Sequence, residues 1–316
     1  MRPSRELLAL AVTVVAWASA FVAIRAALRG YSAGSLTVLR LVLAAGCLAL
    51  VVSVRGGRLP QREDLPRILL SGLLGMALYQ LLLNLGERDV DAGVASLLIL
   101  TAPIHSALLA MVLLREPVPA RRWSGILTAF AGAALIALTD SGDRRLSVGA
   151  LFVLVAAIAH GSYHVVHKPL LQRYSGLEVA TYATCAGALL ALPLAPSVPH
   201  EISGASLAAT GSVVFLAVVP SALGFATWAY ALARLPVAQA TASLYLAPVV
   251  AIGLGWLLLD EAPRVGAVAG GVLVLAGVVT ANTTRSWRRP SRAQLPRAGD
   301  ESAPIQPATT PVDHNA

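Results

Sequence analysis

The sequence predicts an all-α integral membrane protein with ten transmembrane helices, built as two inverted five-helix repeats. Hydrophobic residues make up 57% of the 316 residues and charged residues only 13%, whereas soluble domains carry about 25% charged residues. Long apolar runs alternate with short connections that hold most of the arginines, and the second half of the chain repeats motifs of the first. Together these observations predict a bundle of membrane-spanning helices.

Each of the ten apolar runs is long enough to cross the hydrocarbon core, which takes about 20 residues. The connections are too short to hold a soluble domain. Residues 285–316 are rich in Pro, Arg, Ser and Ala, and their lack of apolar periodicity predicts a disordered cytoplasmic tail. The predicted spans are 7–28, 33–54, 67–86, 92–114, 121–139, 148–168, 177–195, 206–230, 237–259 and 264–282.

The basic residues of the connections predict the orientation in the membrane. With the N-terminus in the cytoplasm, 17 of the 24 Lys and Arg residues lie on the inner side and five on the outer side, while Arg25 and Arg40 fall within spans. This bias predicts a multi-pass protein of the cell membrane with both termini in the cytoplasm. The net charge of +8 is therefore explained by basic residues that orient the helices in the membrane, and it does not indicate nucleic-acid binding.

The start of the chain has a second interpretation. Arg2 and Arg5 precede an apolar run in which Ala18-Ser19-Ala20 resembles a signal-peptidase site. The run continues to Leu28, however, and is too long for the hydrophobic region of a signal peptide. We therefore expect this segment to remain as the first span.

An internal repeat relates residues 92–132 to the residues 145 positions later. Pro103 then aligns with Pro248, and Glu116 with Glu261, so that each half has a proline 13 residues before a glutamate. Each half holds an odd number of predicted spans, so the second half must enter the membrane from the opposite side. Inverted repeats allow two halves to expose one central site to either side in turn, which indicates a transporter that works by alternating access.

The first helices of the two halves align at an offset of 143, which places His160 on Trp17, His164 on Phe21 and Lys168 on Arg25. The motifs that carry the repeat are Ala95, Pro103, Glu116, Gly125 and Gly132, their counterparts Ala240, Pro248, Glu261, Gly270 and Gly277, and Trp17, Phe21 and Arg40.

These motifs resemble the drug/metabolite transporter superfamily, and in particular its EamA-type ten-helix branch, over residues 7 to 282. On this resemblance residues 1–145 form the first EamA-like repeat and residues 146–284 the second. The resemblance implies a cavity between the halves and export of amino acids or related small metabolites. The two histidines that replace Trp17 and Phe21 in the second half depart from the aromatic pattern and predict a more polar wall on that side.

Polar and aromatic side chains within the spans are the candidates for the cavity wall, because polar groups are costly in hydrocarbon and usually face a cavity or the bundle interior. Aromatic residues also anchor helices at the membrane surface, an alternative that applies to Trp228. The predicted substrate-binding residues are Trp17, Phe21, Arg40, Tyr79, Asn84, His105, His160, Tyr163, His164, Trp228 and Tyr245.

Three histidines, His160, His164 and His167, follow the spacing of one helix face. Histidine titrates near neutral pH, so this face is a candidate proton path. The alternatives are histidines that pack against neighbouring carbonyl groups, or a zinc site. A zinc site is disfavoured because the metalloprotease glutamate is absent and no Cys or Asp lies nearby. We therefore predict no bound metal.

Arg40 falls inside the second span, where a guanidinium group requires a partner. A substrate carboxylate is one candidate partner. The alternatives are a carboxylate or carbonyl group of the protein, or extension of the side chain toward the membrane surface.

Pro103 and Pro248 are predicted to kink the middle of their helices. These kinks either shape the cavity or only help the helices to pack. Glu116 and Lys168 are expected at the cytoplasmic face, and Glu261 and Arg25 at the external face. We hypothesise that the two pairs are alternating gates, one closed while the other is open. The simpler alternative is that these charges lie in the headgroup region.

We predict a secondary transporter, an exporter of amino acids or related small metabolites, with proton coupling left open. The expected partners are a small-molecule substrate, the lipid bilayer and, if transport is coupled, protons, and no cofactor is expected. The sequence has no nucleotide-binding motif, which argues against an ATP-driven pump. The alternatives are a flippase for lipid-linked carriers and an intramembrane lipid-modifying enzyme. An enzyme of that kind would need clustered acids or a metal motif at one membrane surface, and the sequence has neither.

Overall fold

A computed structural model of the chain describes residues 5–102, 104–106, 108–109, 120–140, 148–167, 169–232 and 243–282. These residues form helices and connecting turns, with no β-strand among them. Within the described ranges, six helices are long and apolar enough to cross a membrane, and four shorter apolar helices of 10–17 residues accompany them. The all-α membrane fold is therefore confirmed, while the count of ten spanning helices stays a prediction.

Most helix ends lie within a few residues of the predicted spans, and the second helix occupies the predicted range. The predicted tail, residues 285–316, lies outside the described residues. The helices are α1 (Arg5–Ala27), α2 (Ala33–Val54), α3 (Leu65–Gly72), α4 (Tyr79–Gly86), α5 (Ala92–Ile99), α6 (Ala120–Asp140), α7 (Val148–His167), α8 (Gly176–Ala191), α9 (Val198–Gly204), α10 (Leu207–Leu216), α11 (Gly224–Leu232), α12 (Ala247–Leu259) and α13 (Val265–Asn282).

Three helices begin at a serine whose side chain caps the first turn. Ser32 precedes α2, Ser175 precedes α8 and Ser206 precedes α10, and each hydroxyl accepts a hydrogen bond from the backbone N–H three residues later. At α8 the Glu178 carboxylate completes a capping box by accepting a hydrogen bond from the backbone of Ser175 at 2.7 Å. Such caps contribute about 1 kcal/mol each and fix where the helices start.

Two membrane-length helices contain a π-helical segment in mid-span. Leu73–Leu78 joins α3 to α4, and Ala217–Leu223, which includes Pro220, joins α10 to α11. The two segments start 144 residues apart, close to the offsets of 143 and 145 in the sequence repeat. Because π-helical turns are rare and occur frequently at functional sites, these two segments indicate where a binding site is to be sought.

Close helix contacts depend on glycine where α6 packs on α13. A Cβ atom added to Gly132 would lie 2.6 Å from the carbonyl oxygen of Gly270, and one added to Gly270 would lie 2.7 Å from the carbonyl oxygen of Gly132. Small residues let helix backbones approach in this way in membranes, where packing replaces the hydrophobic effect as the driving force. Large apolar side chains such as Leu257, which is 78% exposed, cover the outer surface.

Two features differ from the sequence predictions. The short helix α9, between α8 and α10, was not predicted. Pro248 does not kink the middle of a helix, because α12 begins at Ala247 after a 3-10 turn and the proline lies in the first helical turn. A proline there costs no hydrogen bond, since the first N–H groups of a helix have no intrahelical acceptor. Pro103 lies outside the described residues.

Candidate functional site

A cavity of about 120 Å³ lies at the centre of the bundle, with a wall made by helices of both halves. Gln80 and Ser96 add polar groups to a wall that is otherwise largely apolar and includes Leu83, Ile99 and Phe225. Of the residues predicted from sequence, those in its lining are Trp17, Phe21, Arg40, Tyr79, His160, His164 and Pro248.

A second cavity, of about 320 Å³, adjoins the first and shares Trp17, His160, His164 and Phe225 with it. It continues past the side chains of Tyr163, His167 and Trp228 to Tyr174, Ser175 and Gly176, at the turn between α7 and α8. Asp64 lies at the same end of the bundle, which we call the Asp64 face. The opposite end, where α1 meets the turn between α12 and α13, is called the Glu261 face. The two cavities therefore lead from the centre of the bundle toward the Asp64 face.

Arg40 brings a positive charge to the central cavity from the middle of α2. The residue is only 6% exposed, and its Nε atom donates a hydrogen bond to Ser221 Oγ at 3.1 Å. Its Nη1 atom is buried and has no hydrogen-bond partner within the described residues. A desolvated cation with an unused donor is costly to bury, so this arrangement favours the approach of an anion.

The aromatic side of the cavity is fixed by Trp17. Its indole Nε1 donates a hydrogen bond at 3.0 Å to the carbonyl oxygen of Pro220, in the second π-helical segment. Phe225 and Trp228 pack against the indole, with ring centroids 5.5 and 5.3 Å away. The hydrogen bond and the ring contacts hold α1 against α11, so the indole forms a rigid part of the wall.

The histidines of α7 form a continuous row of rings. Tyr79 stacks on His160 with centroids 4.4 Å apart, and His160 contacts His164 at 4.6 Å. Tyr163 stacks on His167 at 4.3 Å, and His167 Nδ1 lies 2.7 Å from the carbonyl oxygen of Tyr163. The predicted shared face is therefore present and follows the wall of both cavities, while its use in binding or proton transfer stays a prediction.

Two residues predicted to bind substrate lie outside both cavity linings. Asn84 is fully buried, and its Nδ2 atom donates a hydrogen bond to Thr37 Oγ1 at 2.9 Å, which connects α4 to α2. His105 packs edge-on against Phe130 with centroids 5.5 Å apart. Both side chains therefore contact neighbours within the bundle, although Asn84 Oδ1 has no hydrogen-bond partner among the described residues. The side chain of Tyr245 lies outside the described part of the chain.

A network of charges closes the Glu261 face. Arg25 Nε donates to Glu261 Oε1 at 2.9 Å, and Arg25 Nη1 donates to the backbone oxygen of Glu87 at 2.7 Å. The second oxygen of Glu261 accepts a hydrogen bond from the N–H of Ala92, the first residue of α5, at 3.0 Å. One carboxylate thus joins the end of α1 to the start of α5. Glu116 and Lys168, the other predicted pair, lie outside the described residues.

Glu87 is a buried acid beside this network that was not singled out from the sequence. It caps the end of α4 and is fully buried. In the described part of the chain, neither of its carboxylate oxygens has a hydrogen-bond partner. Its charge interacts with those of Arg25, Arg40 and Glu261. In the sequence its neighbour Arg88 suggests a helix end in headgroup water, so the burial was not foreseeable.

Two tyrosines in equivalent positions join the halves at opposite faces. Tyr31 and Tyr174 are 143 residues apart, and each precedes a helix-capping serine. At the Glu261 face the Tyr31 hydroxyl lies 2.8 Å from Thr210 Oγ1. At the Asp64 face the Tyr174 hydroxyl donates to Asp64 Oδ2 at 2.8 Å. The repeated Tyr-Ser pair is a sequence signal that could have revealed both contacts.

Among the residues that the structure describes, no group of three or more His, Cys, Asp or Glu side chains is placed to hold a metal ion.

A multi-pass helical bundle that surrounds a central cavity lined by residues of both halves is the architecture of membrane transporters for small molecules. The sequence profile of the EamA-like transporter family matches the chain over residues 4–138 and again over residues 147–283. The protein therefore belongs to the EamA-like transporter family, and the resemblance seen in its motifs is confirmed.

Several relatives carry names that describe transport. A protein of Streptantibioticus cattleyicolor named "Probable terminal-alkyne amino-acid exporter" is 48% identical over 289 residues, covering 92% of this chain and 97% of the relative. The uncharacterized transporter YdfC of Bacillus subtilis is 37% identical over 83% of this chain and 86% of its own length. The pseudopaline exporter CntI of Pseudomonas aeruginosa is 27% identical over 71% of this chain and 77% of its own length.

A solved crystal structure of another protein has the same fold, with a TM-score of 0.60 and 20% sequence identity. The match covers 88% of this chain and 96% of the other. At this identity the likeness supports the architecture alone.

Proposed function

We propose that the protein is a secondary exporter of small amino acids with apolar side chains, which pass through the central cavity by alternating access between two inverted five-helix repeats. The observation that carries the proposal is the buried Arg40 guanidinium, with an unused donor, in a cavity whose wall is mainly aromatic and aliphatic. A carboxylate next to an apolar tail is the chemistry that such a site selects. The relative named as an amino-acid exporter supports the same class of substrate.

The cavity offers a place for each part of such a molecule. The carboxylate is expected to take the free donor of Arg40, beside the Ser221 hydroxyl. A hydrogen bond to a charged group contributes about 1.5–3 kcal/mol when the site excludes water. The apolar side chain packs on Trp17 and Phe21, and the electron-rich faces of these rings also attract the ammonium group.

The inverted-repeat architecture, with residues 1–145 and 146–284 as its halves, is supported by reciprocal packing. The first helix of the first half, α1, packs on α10, α11 and α12 of the second half. The first helix of the second half, α7, packs on α3, α4 and α5 of the first half. The two family matches, the two π-helical segments and the two tyrosine contacts repeat in the same way.

The sidedness follows from the positive charges of the connections, which favour cytoplasmic termini. The Glu261 face is then external and the Asp64 face cytoplasmic. The closed Arg25–Glu261 pair and the cavity that leads to Tyr174 support an inward-facing state, ready to take substrate from the cytoplasm. Export coupled to proton entry is the direction that we propose, in line with the two relatives named as exporters.

Transport into proteoliposomes tests the proposal. Vesicles containing the purified protein are loaded with unlabelled amino acid, and uptake of labelled L-propargylglycine, L-leucine, L-aspartate and L-lysine is measured with and without a pH gradient. We expect uptake of the two apolar amino acids and little uptake of the charged pair. Uptake of none of them would contradict the proposal, as would equal uptake into vesicles without protein.

A matched pair of variants ties transport to the cavity. Arg40→Gln removes the charge, and we expect it to abolish uptake of L-propargylglycine. Arg29→Gln is the control, because Arg29 lies in the turn after α1, is exposed and is not part of the cavity lining. Transport that survives in the Arg40 variant would show that the substrate follows another route.

A further inference from the structure

Glu87 is a buried acid near the Arg25–Glu261 pair, and it has no role in the transport mechanism proposed above. It follows Tyr79 and Leu83, two cavity-lining residues of α4, at successive intervals of four, so the three share one face of the helix. Tyr79 and Leu83 lie in the cavity wall, while the backbone oxygen of Glu87 accepts a hydrogen bond from Arg25. Glu87 therefore stands between the cavity and the Arg25–Glu261 pair.

The carboxyl group of Glu87 is buried in surroundings where its charged form is costly. It is fully buried, and both of its oxygens are without a hydrogen-bond partner among the described residues. Where α7 packs on the end of α4, it brings Gly149 and Val153 against Gly86 and adds no charge. A carboxylate without a hydrogen-bonded partner is costly in such a site, so burial favours the protonated form and a direct pair with a cation favours the charged form.

Charged and titratable groups approach Glu87 from several directions. The groups that act on it or on its immediate partners are Arg25 from α1, Arg40 from α2, Tyr79 from α4, His160 from α7 behind Tyr79, Asp91 before α5, and Glu261 between α12 and α13. Arg88 and Asp89, its neighbours in the chain, point to the surface and are exposed.

We propose that Glu87 is the proton-binding residue that controls the external gate. Protonated Glu87 leaves Arg25 to Glu261, and the gate stays closed. When Glu87 loses its proton, its carboxylate competes with Glu261 for Arg25, whose Nη1 atom already lies 2.7 Å from the Glu87 backbone oxygen. Transfer of Arg25 to Glu87 frees Glu261 and the start of α5, and the Glu261 face opens.

This mechanism rests on the proposed function and gives it a direction. Proton release toward the cytoplasm opens the external face while Arg40 remains available for the substrate carboxylate. Proton uptake from outside then closes the gate and returns the empty cavity inward. One proton enters for each passage of the empty carrier, so substrate leaves in exchange for protons. Only a proton changes place, and no other reactant is needed.

Gate opening can be measured without any substrate. In a background in which Cys47 and Cys185 are replaced by alanine, Ser96→Cys places a thiol in the cavity wall. A charged, membrane-impermeant methanethiosulfonate reagent is added outside right-side-out vesicles at pH 5.5, 7.0 and 8.5. We expect the labelling rate to rise at least fivefold between the lowest and the highest pH, beyond the change in thiol reactivity measured on the unfolded protein.

Glu87→Gln copies the protonated form, so its labelling should stay slow at all three pH values. Asp89→Asn is the matched control, two residues away and exposed, and it should behave as the parent does. Binding of L-propargylglycine, measured by thermal shift, should survive in the Glu87 variant and so show an intact cavity. Labelling in Glu87→Gln that still rises with pH would overturn the assignment.

A chemical probe gives a readout that does not depend on a variant. Dicyclohexylcarbodiimide modifies protonated carboxyl groups in apolar surroundings, and peptide mass spectrometry of the treated protein should find the adduct on Glu87. An unmodified Glu87 would contradict the assignment. Amino-acid uptake with no pH effect on labelling would reject Glu87 as the proton site and leave transport standing. Absence of any uptake, with pH-dependent labelling intact, would instead reject the proposed transport function.

Discussion

Arg25 Nε lies 2.9 Å from Glu261 Oε1, with the two side chains 27% and 12% exposed. The pair connects the end of α1 to the turn before α13. It is more than a surface ion pair, because the same carboxylate accepts a hydrogen bond from the first N–H of α5, where the partial positive charge of the helix end favours an anion. Four elements therefore depend on one glutamate: α1, α5, α12 and α13.

Loss of the Glu261 charge should open the Glu261 face. Glu261→Gln removes the ion pair, and we expect the balance between closed and open states to shift by about 1 kcal/mol, or roughly fivefold. The rate at which an external thiol reagent labels Ser96→Cys measures the shift. Asp260→Asn is the control, because both residues tolerate the left-handed backbone found at Asp260, whose φ is 59°. Slow labelling that matches the parent would argue that the pair does not hold the gate.

Recognition of the substrate carboxylate should depend on Arg40. We expect Arg40→Gln to weaken binding of L-propargylglycine by roughly 10- to 100-fold, since a charge-assisted hydrogen bond is lost. The decarboxylated amine, but-3-yn-1-amine, should bind the parent and the variant equally. Isothermal titration calorimetry with both ligands gives the comparison. Equal losses for acid and amine would point to a damaged cavity and not to recognition of the carboxylate.

The stability of the bundle should depend on the contact between α6 and α13. Gly132→Ala places a methyl group 2.6 Å from the carbonyl oxygen of Gly270, so the two helices must separate. We expect a loss of about 1–3 kcal/mol, seen as a fall in Tm in detergent. Gly211→Ala is the matched control, because no atom lies within 4 Å of its added methyl group, and helix propensity should make it neutral or stabilising.

A pH effect on stability is expected outside the membrane spans at Glu201, in α9. Burial alone would raise the pKa of its carboxyl group, but hydrogen bonds from the Ser32 backbone and from the hydroxyls of Ser32, Ser35 and Ser197 outweigh burial and lower the pKa below its ordinary value of 4.5. A lowered pKa means that the stabilisation is present above that value and is lost as the pH falls through the folded-state pKa. Tm should therefore drop more steeply below pH 4.5 in the parent than in Glu201→Gln. Parallel curves would show that this contact is not coupled to stability.

Much of the fold was accessible from sequence because the bilayer imposes simple rules. Apolar length placed α2 at residues 33–54, as the structure has it. The high cost of polar groups in hydrocarbon pointed to Arg40 and the α7 histidines, which do line the cavity. The same rule does not place Asn84 in a cavity wall, because its amide nitrogen donates to Thr37 on the neighbouring helix α2 instead.

Other features depend on the three-dimensional arrangement. The π-helical segments carry no residue signature, and only one of them contains a proline. Glu87 stands at the end of a helix beside Arg88, and only the folded structure shows that it is buried. Pro248 lies at the start of a helix instead of its middle, because a 3-10 turn at Leu244–Leu246 interrupts the apolar run just before it.

Distances across the two faces test alternating access most directly. Spin labels are attached in pairs to exposed positions, Arg29 with Asp260 at the Glu261 face and Gln61 with Gln172 at the Asp64 face, in the background without Cys47 and Cys185. Double electron–electron resonance is recorded for each pair in lipid nanodiscs at pH 5.5 and 8.5, with and without L-propargylglycine. We predict that at high pH the distance at the Glu261 face lengthens while the distance at the Asp64 face shortens. Changes of the same sign at both faces, or unchanged distances at both, would contradict the account.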